Sequence, residues 1–474
     1  MNEITPDAIA QYDKNELSSL FSIKTTENGD IAFKSTGNHL VDLLMFGEYY
    51  SKHLDCVKIG TSDIEKVFSM FIRDPRYGLK YREYGRTLMY QACVSPENVV
   101  KAGRFDDLWR IVGRGNDELE ALWVNYLLDQ CMAGNNLAKK WMPHYTAKQN
   151  GKPSVSTVNA ARFRRILGLT KQEYGKLVKC DTVESKLSQH HNDEIDFSKL
   201  PSLALLKYWA RFAGTSKKNP KTDMAERFKS YLESVKKGEK KMNMSTASVY
   251  DIYRKRNDID ADVAFAQIEK ISGNWIPIVD TSASMLWKES NDAMGKALAI
   301  GHYLAKCSTY APNQVISFSS EPQLIELGVT KPHMKRSIGI TEDNGTQYCH
   351  ELRSMHTGDC SNTDFGAVMR ILSGLRKEFP EFLVVLSDQE FDEGSNSDTR
   401  LVLSGWCKNG INTKIVWWNL NSRATTTQFR NDEFGNIFLS GYNPQLLKFL
   451  EAGFDGSSYL AKLLNEYKKS VGLD

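Results

Sequence analysis

Trp275-Ile276-Pro277-Ile278-Val279-Asp280-Thr281-Ser282-Ala283-Ser284 is the stretch on which the fold turns. A short apolar run that follows a glycine and ends in an acid reads as a buried strand running into a polar loop. Downstream, Met294, Leu298, Ile300, Tyr303 and Leu304 recur at helical spacing within 290–309. A strand is predicted over 314–319, a helix over 365–375 and a strand over 382–386. A helix over 400–408 and a strand over 413–418 follow. Strands alternating with helices of this length indicate a doubly wound α/β sheet with helices on both faces. Such sheets bind ligands outside the carboxyl ends of their strands.

Upstream of Gly273 the texture is helical. Val41, Leu43, Leu44, Phe46 and Tyr49 form one apolar face, and Leu119, Leu122, Val124, Leu127 and Leu128 another. Short helical blocks separated by breaks such as 113–115, Met142-Pro143 and 151–153 suggest stacked helix pairs in an irregular α-helical repeat array. The expected division is therefore 1–272, helical, and 273–474, α/β.

The 474 residues are 41% apolar and 25% charged, values of an ordinary globular chain. Collagen-like, mucin-like and wholly disordered classes are excluded. The sequence shows no apolar window of membrane-spanning length and no basic-then-apolar leader at its start, so a cytoplasmic protein without a membrane partner is expected, in the host cytoplasm if the chain is viral. The eight cysteines include no CxxC pair and read as reduced thiols.

The net charge of +3 is unevenly spread. Residues 1–272 carry 42 Lys and Arg against 35 Asp and Glu, and residues 273–474 carry 19 against 23. Within 151–250 there are 20 basic and 10 acidic residues. The densest groups are Arg162, Arg164 and Arg165; Lys217, Lys218 and Lys221; and Lys236, Lys237, Lys240 and Lys241. Such a stretch fits an anionic partner such as RNA, or else a solvated helix face. Phe163, Tyr174, Tyr208, Trp209, Phe212, Phe228 and Tyr231 accompany it, as stacking partners for bases or as core. Their exposure discriminates between the two.

The first α/β strand ends in Asp280-Thr281-Ser282-Ala283-Ser284, Thr363-Asp364 precedes a helix, and the strand over 382–386 ends in Ser387-Asp388. In a doubly wound sheet these segments fall at one edge. Carboxylates and hydroxyls gathered there are hard oxygen donors, suited to Mg²⁺, Mn²⁺ or Ca²⁺ and not to zinc.

Asp280-x-Ser282-x-Ser284, Thr363 and Asp388, in this order, resemble the metal-ion-dependent adhesion site of von Willebrand factor A domains. The resemblance implies that Ser282, Ser284 and Thr363 contact a divalent metal, Mg²⁺ ahead of Mn²⁺ or Ca²⁺, and that Asp280 and Asp388 act directly or through water. It also implies an open coordination position for an acidic group of a protein partner. Ala283 and Gln389 stand where the family usually has glycines.

A wider resemblance joins Phe71-Ile72-Arg73-Asp74-Pro75-Arg76, Gly85-Arg86, 138–143, 172–174, 195–202, 316–319, 362–365 and 386–392. In this order they resemble Ro-type (TROVE) RNA-binding proteins, and more closely a related family of cellular and viral proteins. That likeness implies HEAT-like helical repeats, RNA bound by basic surface, structured or as single-stranded ends, and an A domain at the C-terminal side. A scaffold that captures an acidic partner residue through the metal is the alternative.

Catalysis is not expected, since GxSxG, HExxH and Walker-type loops are absent from the sequence. Cys349, His350, His356 and Cys360 match no zinc spacing and read as incidental, and His190-His191 with Asp193 and Glu194 read as a surface turn.

Overall fold

The computed structural model describes residues 3–12, 24–25, 31–32, 38–111, 113, 116–146, 152–188, 191–215, 223–286, 292–319, 321–329, 345–356, 363–375, 379–388, 395–420, 437–442 and 456–473. The change from helices to strands lies between the helix Ala261–Ala266 and the strand that starts at Trp275. Compactness groups the chain along another line. One unit comprises 1–56 with 201–469, and a second comprises 57–200 with 470–473.

In the first unit, β1 (Lys24–Thr25) and β2 (Ile31–Ala32) form a short antiparallel pair. The main sheet has six strands among the described residues: β3 (Trp275–Asp280), β4 (Gln314–Phe318), β5 (Gln323–Glu326), β6 (Phe382–Ser387), β7 (Lys414–Asn419) and β8 (Ile437–Ser440). Their spatial order is β5-β4-β3-β6-β7-β8, and all neighbours are parallel except β4 and β5. This is the α/β sheet expected from the sequence, with an antiparallel edge strand added. β3 and β6 are buried at every position, as a strand covered on both faces must be. Pro277 sits in this central strand without penalty. It precedes the first β3–β4 pair, Ile278 with Ile316, so its missing N–H falls where that ladder has not begun.

The helix Ala293–Cys307 packs across β3, β4 and β6. A Cβ on Gly301 would collide with the stiff, β-branched Val279 side chain, so glycine sets this close approach. The helix Val249–Lys255 lies against the other side of Ala293–Cys307. Tyr303 fastens the connecting segment: its hydroxyl donates to Glu269 O at 2.7 Å and accepts from Ile271 N at 3.0 Å. At the far edge, the helix His39–Met45 covers β8, which blunts an edge otherwise open to pairing.

His302 is 1% exposed and lies edge-on to the rings of Phe265 and Tyr348, each 4.8 Å away. Its Nε2 is 2.6 Å from Glu351, which also accepts from Lys306 at 2.7 Å and Gln347 at 2.9 Å. Burial pushes His302 below its ordinary pKa, so the neutral ring donates to an ionised carboxylate. Burial alone would raise Glu351, but the bonds from His302 and Lys306 outweigh it and hold it at about 2. The unfolded His302 takes up its proton near pH 6.5, before the folded one does. Stability should therefore fall as pH drops from 7 to 5, and His302→Gln should flatten that slope, read as amide-exchange protection of the helix Ala293–Cys307 corrected for intrinsic rates. Wild-type protection that is level across this range refutes the assignment.

In the second unit, the helices Asp63–Arg73 and Arg82–Gln91 pack together. Their approach is closest at Gly85, where a Cβ would come within 2.6 Å of Arg73 Cα. The contact brings two arginines onto one acid. Arg73 Nε and Nη2 reach Asp107 Oδ2 at 3.0 and 2.8 Å, and Arg86 Nε and Nη2 reach Oδ1, both at 2.8 Å. Arg104 N also donates to Oδ2 at 2.9 Å. All three side chains are nearly inaccessible to water.

Candidate divalent-cation site

The site grows from the register of the sheet. Val279 pairs with Leu386, so Asp280 and Ser387 come side by side where β3 and β6 end. Ser387 Oγ donates to Asp280 Oδ2 at 2.6 Å. On leaving β3 the chain turns, and Ser282 N donates to Asp280 Oδ1 at 2.9 Å. Thr281 is anchored toward β4 instead: its N and Oγ1 donate to Phe318 O at 2.8 and 3.0 Å. Ala283–Leu286 then coils into a 3₁₀ turn rather than an extended loop, and the Ser282 and Ser284 hydroxyl oxygens lie 3.1 Å apart.

Of the remaining two residues, Thr363 stands just before the helix Phe365–Leu375 and Asp388 just after β6. Ser319 follows β4 and accepts from Asp364 N at 3.1 Å, which seats Thr363 at the same edge. Asp388 follows Ser387 directly. The structure thus brings the three predicted segments to the carboxyl end of β4, β3 and β6. Asp280, Ser282, Thr363 and Asp388 are each at most 1% exposed, and Ser284 is half-buried.

The donor chemistry fits a hard cation. Adjacent ligands of an octahedral ion at about 2.1 Å lie about 3.0 Å apart, close to the Ser282–Ser284 separation. Two carboxylates wholly removed from water need hydrogen bonds and positive charge around them. A divalent ion bound here would supply that charge. Among the described residues no group of three or more His, Cys, Asp or Glu is disposed to hold a metal, so any ion here rests on hydroxyls as well as carboxylates.

Two residues of this edge were not singled out in the sequence. Ser387 orients Asp280, and its signal was only its place before Asp388. Lys296 is 2% exposed, and its Nζ donates to Leu420 O at 3.4 Å, while Leu420 N donates to Ser387 O at 3.1 Å. A lysine among the buried residues Met294, Ala297 and Leu298 was the available sign. Asp364 is used differently: its Oδ1 accepts from Ala367 N at 2.9 Å and its Oδ2 pairs with Arg370 at 2.9 Å, so it caps the helix Phe365–Leu375. Cys360 lies outside the described residues, whereas Cys349 and His356 are buried.

The basic candidates separate. Arg162 and Arg165 are exposed on the helix Val155–Ile166 of the second unit, and Arg164 Nη1 donates to Leu169 O at 3.0 Å. Lys236, Lys237, Lys240 and Lys241 are exposed in the first unit, with Lys236 paired to Asp260 at 2.9 Å. Lys217, Lys218 and Lys221 lie outside the described residues. Phe163, Tyr174, Trp209, Phe212, Phe228 and Tyr231 are buried and Tyr208 is half-buried, so these aromatics are core and not a stacking platform.

No helix among the described residues is long and apolar enough to cross a membrane. Residues 274–469 match a family model described as a domain of unknown function (DUF7788). The chain is 25% identical, over 94% of its own length and 88% of the relative's, to the uncharacterised protein L728 of Acanthamoeba polyphaga mimivirus. It is also similar to the crystal structure of the Ro (RSR) protein of Deinococcus radiodurans, with 13% identity, a TM-score of 0.40, and coverage of 97% of this chain and 99% of that one.

Proposed function

We propose that the α/β part is a von Willebrand factor A-type recognition domain in a non-catalytic protein. Ser282, Ser284 and Thr363 hold a divalent cation, Mg²⁺ before Mn²⁺ or Ca²⁺, and Asp280 and Asp388 balance its charge. The free coordination position takes a carboxylate or phosphate of a partner. The observation that carries this reading is the meeting of Asp280, Ser282 and Ser284 with the ends of β4 and β6. The test is retention on a polyglutamate column. Wild-type protein is expected to be held in Mg²⁺ and released by EDTA, and a Ser282→Ala/Ser284→Ala variant of the same charge is expected to pass through. Equal retention of both proteins in EDTA defeats the reading.

A second reading, RNA binding of Ro type, is favoured by the exposed Lys237, Lys240 and Lys241 and by the order of the Ro-like segments. Contact with single strands makes log affinity fall with log salt by about 0.7 per phosphate neutralised. Reversing these three lysines to Glu should weaken binding of a single-stranded RNA and flatten its salt dependence in filter-binding assays. An unchanged slope counts against this reading.

A further inference from the structure

The second unit carries two exposed helix faces of opposite charge. The helix Val155–Ile166 contains three arginines and no acid. It turns Val155, Val158, Arg162, Arg165 and Ile166 to solvent, the three apolar ones 66%, 56% and 54% exposed. The helix Asp117–Met132 contains four acids and no Lys or Arg. It turns Asp117, Glu118, Leu122, Asp129 and Met132 outward, Leu122 and Met132 being 53% and 63% exposed. The helix dipole accounts for acids in a first turn and arginines in a last turn. It does not account for five large apolar side chains left in water.

We infer that the acidic-apolar face of Asp117–Met132 docks on the basic-apolar face of Val155–Ile166 in a second copy of this chain. From Leu122 to Met132 is about 15 Å, and from Val155 to Ile166 about 16.5 Å, at 1.5 Å per residue. An antiparallel crossing that sets Val155 and Val158 beside Met132 brings Arg165 within about one turn, about 6 Å along the axis, of Glu118. Both faces are open in the single chain, so neither satisfies the other within it. The exposed valines and isoleucine favour a protein occupant over RNA, which such side chains can neither stack on nor pair with. Because the two faces differ, the contact is head-to-tail and builds rings or filaments. One helix on one helix is a small interface, so the association is weak and depends on concentration and salt.

Sedimentation velocity of nuclease-treated full-length protein tests the inference. The weight-average mass should rise with concentration at low salt and return toward that of a single chain as salt is added. Val158→Glu, which blocks the basic face, and Met132→Lys, which blocks the acidic face, change exposed side chains and should each remain monomeric. Mixed one to one, they retain one intact pair of faces and should form a species of two chains that grows no further. A wild-type mass fixed at one chain, association that persists in either variant, or association that vanishes with nuclease overturns the inference.

Discussion

Asp107→Ala should open the second unit. Two guanidiniums, Arg73 and Arg86, lose their common carboxylate in a place that water does not reach. Removing one partner of a buried ion pair costs about 3–5 kcal/mol, because the charge left behind is neither solvated nor paired. Amide exchange reports the effect where it occurs, since a chain of two units need not have a single unfolding midpoint. Amides of Phe68–Ile72 and of Leu88 and Met89, whose side chains form the surrounding core, should exchange at least a hundredfold faster, by about 1.4 kcal/mol per decade. Those of β3 and β6 should change little. Unaltered protection around Arg73 would show the network to be dispensable. Asp107 also gives a pH signature. Burial raises its pKa, but the two guanidiniums outweigh burial and the net shift is downward. Its contribution is complete above the usual carboxylate range and is lost as pH falls through its lowered value.

The second large effect concerns the proposed cation site. Asp280 is held by the Ser387 hydroxyl and by Ser282 N. Removing a group that orients a metal site typically costs 10–100-fold in affinity. Ser387→Ala should therefore weaken Mg²⁺ binding by that factor, while leaving the β3–β6 ladder, made by backbone groups, in place. Asp388→Ala should weaken binding further, since it removes a charge and not only an orienting bond. Calorimetric titration with Mg²⁺ reads both. Equal affinities for wild type and both variants would mean that the ion, if bound, sits elsewhere.

How legible this was depended on distance along the chain. The run 275–280 announced a strand because six consecutive positions are covered on both faces, a local pattern. The hydroxyl-and-carboxylate set was legible once strand ends were assigned, because parallel strands bring their carboxyl ends to one edge. The bond between Ser387 and Asp280 was not, since 107 residues separate them and only the register places them together. Arg73 and Arg86 were visible as members of quoted segments, but Asp107, 34 and 21 residues away, was not visible as their partner. Nor was the grouping of the helices 201–266 with the sheet. Helical periodicity shows that a face is buried and not what buries it. The aromatics around the basic stretch show the same limit, for spacing alone could not tell core from stacking surface. β5 and β8 went unrecognised because each has only four residues, too short for a period to register.

Mn²⁺ titration followed by electron paramagnetic resonance tests the central claim most directly, since free and bound Mn²⁺ differ in signal. Wild-type protein should bind one Mn²⁺ per chain, displaceable by Mg²⁺, and the Ser282→Ala/Ser284→Ala variant should lose that binding. A free-Mn²⁺ signal undiminished by wild-type protein, or identical binding by the variant, contradicts the account.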